Sequence, residues 1–315
     1  MKRLINGLHH ITTLAGDAQK NIDFYTGILG LRFVKKTVNF DAPEVYHLYY
    51  GDQKGNPGTV FTTFPFGNIR QGAKGTGEVS TTAFSIPATA VSYWIDRLKK
   101  FDIEVKDIIQ RFGEEVIQFS DHDGLSLELI ANDQDTRKGW QTGHIPGENA
   151  IRGFYGVTLH LGSYERTLGL LTEIMEHRLI EEKNNRFRLE AGDGGPGTYM
   201  EILWDPAARP AMQGNGSVHH VAFSTDADET QLEIREKLLA AGHYVTEVKD
   251  RQYFHSIYFR EPAGVLFEVA TNPPGFTLDE PEEKLGEALK LPPWEEKNRN
   301  TIEKGLAPVQ YKVYK

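Results

Sequence analysis

An α+β fold of four βαβββ modules, paired into two domains with a curved mixed sheet around a cleft in each, is the architecture this sequence predicts. Three observations predict it. A strand-helix-strand-strand-strand pattern recurs four times along the chain. The last strand of each copy follows a turn glycine, at Gly58, Gly124, Gly197 and Gly264. The length of 315 residues exceeds that of one typical domain. The division expected is 1–140 for an N-terminal domain (modules 1 and 2), 141–272 for a C-terminal domain (modules 3 and 4) and 273–315 for a C-terminal arm.

The first module opens on the apolar strand within "GLHHITTLAG" (7–16). In "DAQKNIDFYTGILG" the residues Ile22, Phe24, Tyr25, Ile28 and Leu29 recur at helical spacing, with Asp17 as N-cap and Gly30 as stop. The β-rich runs "LRFVKKTVNF" and "VYHLYY" follow, then a Gly-rich turn and "TVFTTF". Modules 2, 3 and 4 occupy 78–131, 153–204 and 217–271. The stretch "AGDGGPG" (191–197) resembles a phosphate-binding loop only superficially, since it leads into a strand rather than a helix; it reads as a hairpin turn. Beyond 272 the repeat ends in a Pro-punctuated, acidic arm with one short helical run near 282–289. The arm reads as surface packing on the modules, with a pocket lid or a dimer contact as its functional alternatives.

Composition excludes several classes. No run approaches the ~18 apolar residues of a membrane helix, and the amino terminus lacks the apolar core of a signal peptide, so a cytoplasmic protein is expected. The net charge of −9 opposes binding to nucleic acid. There is no cysteine, which rules out disulfides, thiolate nucleophiles and Cys-based metal sites; a metal must sit on His, Asp, Glu, Tyr or water. Assembly into a homo-oligomer is left open.

The repeat register locates candidate chemistry. Four residues beyond each turn glycine stand Thr62, Glu128, Glu201 and Glu268, and the matching first-strand positions are His10, Thr81, Gly156 and His220. A lone histidine on an apolar strand is usually a hydrogen-bonded core residue. Two at equivalent positions, with a glutamate in register, point to a metal. If the outer modules share one cavity, His10, His220 and Glu268 converge as a 2-His-1-carboxylate set, which holds Fe(II) on one face and leaves positions for substrate and O₂; Mn(II) shares these ligand preferences. Thr62, a poor ligand, takes the fourth symmetric position. Glu128 and Glu201 lack histidine partners and read as inward structural carboxylates paired with cations or water. His122, His144, His160 and His255 read as structural.

On these residues the chain resembles the vicinal oxygen chelate superfamily of glyoxalases, resistance proteins and extradiol dioxygenases. "GLHHIT", "VHHVAF" and "SIYFREPAGVLFEVAT" resemble the hydroquinone-type ring-cleaving dioxygenases, over roughly residues 4 to 272. The resemblance implies iron ligands at His10, His220 and Glu268, and an aromatic diol and O₂ as reactants. It implies Tyr258 as a residue that contacts substrate or moves a proton, Arg251 as a pocket cation, and Thr12, His9 and His219 as supporting residues. Strand alternation agrees for Thr12, which shares a face with His10, and disagrees for His9 and His219 unless a bulge intervenes. By register Tyr49 matches Tyr258 and His47 matches Ser256, which makes His47 a further pocket candidate. The alternatives are a glyoxalase-like lyase or isomerase, which prefers a carboxylate at Thr62, and a metal-free binding or resistance protein, which needs no convergent His, His and Glu.

Overall fold

Residues 2–106, 108–141 and 144–312 are described by a computed structural model, so the expected arm of 273–315 is seen as far as residue 312. Module 1 comprises β1 (Gly7–Ala15), α1 (Ala18–Ile22), β2 (Arg32–Asn39), β3 (Ala42–Gly51) and β4 (Val60–Pro65). Module 2 comprises β5 (Glu78–Ile86), α2 (Val91–Lys100), β6 (Ile108–Arg111), β7 (Glu114–Ser120) and β8 (Ser126–Ala131). Module 3 runs through β9 (Gly153–Leu161), α3 (Glu165–Glu173), β10 (Arg178–Lys183), β11 (Arg186–Glu190) and β12 (Tyr199–Trp204). Module 4 runs through β13 (Ser217–Thr225), α4 (Asp228–Ala240), β14 (Lys249–Asp250), β15 (Phe254–Arg260) and β16 (Leu266–Pro274).

The fold is α+β, with two curled eight-stranded sheets. Their strand orders are β14-β15-β16-β13-β1-β4-β3-β2 and β10-β11-β12-β9-β5-β8-β7-β6. The sheets therefore join module 1 to module 4 and module 2 to module 3, and each of the expected halves, 1–140 and 141–272, contributes one module to each sheet. This corrects the consecutive pairing of modules read from the sequence. Its physical cause lies in the first strand of each module: one edge pairs in parallel with that module's own last strand, as β1 does with β4, and the free edge pairs antiparallel with the first strand of another module, β1 with β13 and β5 with β9.

The four turn glycines adopt φ of +82°, +82°, +92° and +99°, a region that penalises a side chain. Asp17 caps α1 by accepting a 2.8 Å bond from the Lys20 amide, and the helix continues as a wider π turn over Asp23–Ile28 before Gly30 stops it at φ +69°. Between the layers, Trp94 and Leu98 of α2 and Ile234 and Leu238 of α4 are buried against the sheets. The 191–197 stretch is the hairpin connection between antiparallel β11 and β12. No helix among the described residues is long and apolar enough to cross a membrane.

The arm departs from expectation. Residues 282–289 hold only a 3-10 turn, Glu282–Lys284, because Gly286 turns the chain at φ +81° and Leu289 then bridges Lys36 alongside β2; the arm's helix is α5 (Arg299–Gly305). The arm is bolted to module 1 by Lys35, fully buried, whose ammonium lies 2.5 Å from both Asp279 and Glu280. Its Phe276 packs on Tyr49 and Tyr253 at centroid distances of 5.1 Å. It covers the outer edge of the sheet, where β2 would otherwise present unpaired backbone.

Candidate metal centre

Both His-His pairs lie on the strands that join the outer modules. Leu8 faces Phe223 and His10 faces Ala222, which leaves His9 without a partner; Thr12 faces His220 and Thr13 faces Val218, which leaves His219 without one. Each pair thus carries a β-bulge, and a bulge interrupts the alternation of faces. His9 and His219 consequently fold toward their neighbours, with His9 Nδ1 2.9 Å from His10 Nδ1 and His219 Nδ1 2.8 Å from His220 Nδ1. The opposite-face expectation from simple alternation is overturned for both. The ring of Phe254 packs on His9 and His10 at 5.0 Å from each.

These contacts fix ring orientation. If His10 and His220 turn their Nε2 lone pairs to a cation, their protons sit on Nδ1 and are donated to Nδ1 of His9 and His219. Acceptors must be neutral, and burial together with the adjacent His10 or His220 pushes His9 and His219 down to about 3. His9 is completed by a hydrogen bond to the Thr271 backbone.

Glu268 enters from β16, whose parallel register sets it beside Ala222 on β13. Ser256 donates to its Oε1. Its Oε2 lies 2.9 Å from His220 Nε2 and 3.3 Å from His10 Nε2, and the two Nε2 atoms are 3.2 Å apart. Although buried, Oε2 has no aligned hydrogen-bond donor. Burial pushes the Glu268 carboxyl up, but His10 and His220 outweigh it and hold the group well below the usual range; burial lowers His220. An anionic oxygen and two imidazole nitrogens therefore aim at one point. Ligands about 2.1 Å from a divalent cation and at right angles to each other are about 3.0 Å apart, so the spacing fits a facial set on one cation.

His10 and His220 line a cavity of about 270 Å³ whose wall also includes His47, Phe64, His219, Phe254, Tyr258 and Arg251, and Glu268 is fully buried beside the two imidazoles. Tyr258 faces Glu268 across β15 and β16. Burial, with Glu268 nearby, raises its phenol well above the ordinary range, so it stays protonated. Arg251 donates from Nε to the Tyr258 hydroxyl at 3.1 Å and from Nη2 to Asp41 at 2.9 Å, tying the module 4 wall to the β2–β3 turn of module 1. Thr12 is fully buried and hydrogen-bonded to Thr62 at 2.8 Å, outside the cavity wall. His47 lies on the wall as its register suggested, 2.8 Å from Thr62 Oγ1 and from the Tyr49 hydroxyl.

The nine residues singled out from the sequence, His10, His220, Glu268, Tyr258, Arg251, Thr12, His9, His219 and His47, thus lie in one region of the molecule. Asp41 and Phe254 had not been foreseen; neither a turn aspartate nor a strand phenylalanine carries a chemical signal until the opposing module is in place. Ser256 was legible as a residue two positions before Tyr258, but not as a partner of Glu268. Glu128 and Glu201 lie elsewhere, paired with Arg111 and Arg188. His122 sits in a turn beside Asp123, and His255 is a partly exposed strand residue paired with Asp228.

Comparison with known proteins bears on the chain as a whole. The profile described as the Glyoxalase/Bleomycin resistance protein/Dioxygenase superfamily matches residues 7–129 and 157–269. The chain is 42% identical over 310 residues, 98% of either chain, to the "Putative ring-cleaving dioxygenase MhqO" of Bacillus subtilis (strain 168). It is 36% identical over 299 residues, 92% of either chain, to the "Chlorohydroquinone/hydroquinone 1,2-dioxygenase" of Sphingobium indicum. A crystal structure of a "putative dioxygenase" from Bacillus subtilis superposes with a TM-score of 0.95 at 40% identity and full coverage of both chains. Glyoxalase I from Zea mays, at 15% identity, TM-score 0.65 and coverage of 84% of this chain and 92% of its own, shares the fold.

Proposed function

The chain belongs to the glyoxalase/bleomycin resistance protein/dioxygenase superfamily, and from that premise we propose that it is a ring-cleaving dioxygenase of the extradiol type, dependent on Fe(II) and acting on a hydroquinone-type or catechol-type aromatic diol. The observation that carries this reading is the convergence of His10, His220 and Glu268, with the two histidines on the wall of an aromatic-lined cavity and Thr62 rather than a carboxylate at the fourth symmetric position. A glyoxalase-like lyase or isomerase would prefer a carboxylate there, and the threonine leaves coordination positions for two reactants.

Bound iron would supply Lewis acidity to ionise a substrate hydroxyl and a redox path between the electron-rich ring and O₂. The protein's own part is positioning and proton handling. His10, His220 and Glu268 hold one face; His9, His219 and Ser256 orient them. Phe64 and Phe254 offer apolar walls to the ring. Tyr258, protonated and hydrogen-bonded to the fixed charge of Arg251, stands ready to give a proton to an oxygen that becomes anionic as the ring opens. Overall one diol and one O₂ yield one ring-opened acid carrying both oxygen atoms.

The test is anaerobic loading with Fe(II), followed by O₂ uptake with hydroquinone, methylhydroquinone and catechol. One O₂ consumed per diol, with both atoms of ¹⁸O₂ in the product, is the expected result. Protein that holds iron stoichiometrically and consumes no O₂ with any of the three would overturn it.

A further inference from the structure

Two connections between modules, 66–77 after β4 and 205–216 before β13, lie side by side. Ala73 and Met212 exchange both backbone hydrogen bonds at 2.8 Å, Gln71 bridges Asn215, and Thr76 bridges Pro210. The start of the first connection is held as firmly: the Phe66 amide donates to Ala15 at 2.9 Å and the Gly67 amide to Gly16 at 3.1 Å. Against this ribbon lies a second cavity, of about 430 Å³. It shares Asn39, Phe64 and His219 with the cavity of His10 and His220, so the two adjoin along these side chains.

Beyond the shared residues the second wall is largely apolar, with Leu14, Phe66 and Ile69. Its polar groups are already engaged. The Gln213 amide donates to the Val218 and His219 carbonyls, the Asn39 side-chain oxygen accepts from the Asp41 amide, and the Arg70 guanidinium rests 3.8 Å from the Met212 sulfur. A wall that asks a guest for few hydrogen bonds fits an apolar one. Phe66 is 37% exposed and Met212 49%, although the backbone of both is fixed, and large apolar side chains shown to water on fixed backbone mark a binding surface. Phe64 joins the two spaces: its ring packs on His47 at 4.4 Å in the first and reaches Phe66 at 6.3 Å in the second.

We infer that the second cavity is a subsite for an apolar ring substituent, which makes the substrate class diols whose ring carries an alkyl or alkenyl chain of several carbons. This rests on the ring-cleavage reading above. An apolar cavity of ~150 Å³ holds one benzene, so the first cavity, at about 270 Å³, takes the diol ring with small groups and a longer chain must leave it. Another part of its wall carries Asp41, Lys249 and Arg251, charged groups that a hydrocarbon would desolvate. Past Phe64 the chain instead meets Phe66 and Ile69, apolar surface at each step.

The test uses the iron-loaded full-length protein with 2-methyl-, 2-propyl- and 2-hexylhydroquinone, under argon for binding by calorimetry and then with O₂ for turnover. Burying one methylene is worth about fourfold in affinity and half-covering it about twofold, so Kd should tighten and kcat/KM rise about thirtyfold from methyl to hexyl. The value of kcat should stay nearly constant, because the chain is held equally before and during the reaction. Phe66→Ser and Ile69→Ser should each cut the hexyl-to-methyl ratio about fivefold. A native protein indifferent to chain length, or a preference that survives both substitutions, overturns the inference. So does a Phe66→Ser protein that passes from dimer to monomer in sedimentation with its chain-length preference intact, which makes the groove a contact between two copies. If no diol consumes O₂ the ring-cleavage reading fails, and the binding series under argon still decides the subsite.

Discussion

The outer sheet and the inner sheet carry the same centre twice, and only one of them can take a cation. β5 and β9 repeat the antiparallel pairing of β1 and β13 down to two bulges, which leave Ser80 and Tyr155 where His9 and His219 stand. The residues equivalent to His10 and His220 are Thr81 and Gly156, and a Cβ at Gly156 would lie 2.6 Å from the Tyr199 carbonyl oxygen, so no side chain fits there. Glu128 and Glu201 point inward as Glu268 does, but Arg111 pairs with Glu128, Arg186 and Arg188 pair with Glu201, and Arg188 also reaches Glu114 at 2.8 Å. Three guanidinium groups answer three carboxylates and leave a void of about 10 Å³. In the outer centre one carboxylate faces two imidazoles, burial lowers the pKa of one of them, His220, and a cavity of about 270 Å³ opens beside them. One backbone geometry thus gives a self-neutralised core or a cation site according to which side chains supply the positive charge.

Changes on the two sides should therefore separate cleanly. His220→Ala removes a ligand, and metal content by mass spectrometry should fall below about a tenth of the native value with ring cleavage lost; full metal retention would refute the assignment. Glu201→Ala strands buried guanidinium groups in the inner centre, and should cost about 3–5 kcal/mol in denaturant unfolding while the surviving folded protein keeps its metal. A loss of metal there would mean that the two centres are coupled. Thr62→Glu gives module 1 the carboxylate that the other modules have; metal should be held at least as tightly while ring cleavage drops about 100-fold, since a fourth protein ligand occupies a reactant position. Unchanged turnover would show that position 62 does not face the metal.

His9→Ala takes away the group that orients His10 and should weaken metal affinity about tenfold, measured by competition with a chelator, whereas Ser80→Ala at the matching inner bulge should not. The smallest effect is that of pH. Burial depresses His220 below its ordinary value, which favours the unprotonated, ligating imidazole toward lower pH. Metal content should hold from pH 8 to about 6.5 and decline only as acid protonates the ligands. Release that begins above pH 7 would contradict the depressed value.

Much of this was legible from the chain alone. Repetition placed the four turn glycines, the last-strand positions and the equivalent first-strand positions, and the offset between them is the same in every module, each last-strand residue pairing two residues beyond the matched first-strand one: Thr12 with Thr62, Ala83 with Glu128, Thr158 with Glu201, Ala222 with Glu268. Local backbone demands repeat with the sequence, so equivalent positions can be counted out without coordinates. The roles of His9 and His219 could not be read in this way, because a bulge is a property of two strands in register and neither strand contains it by itself. The helix expected near 282–289 failed for a related reason: its leucines pack along β2, a partner distant in sequence.

What the chain by itself determined was a set of side chains at equivalent places in four modules, two histidines and one glutamate among them, together with the absence of cysteine that confines any metal to those residue types. Tertiary structure decided which modules share a sheet, and so which of the four inward positions meet. Strand edges carry that choice: each first strand has one free edge, hydrogen bonding across such an edge does not depend on side-chain identity, and only the assembled sheets show β1 beside β13 and β5 beside β9.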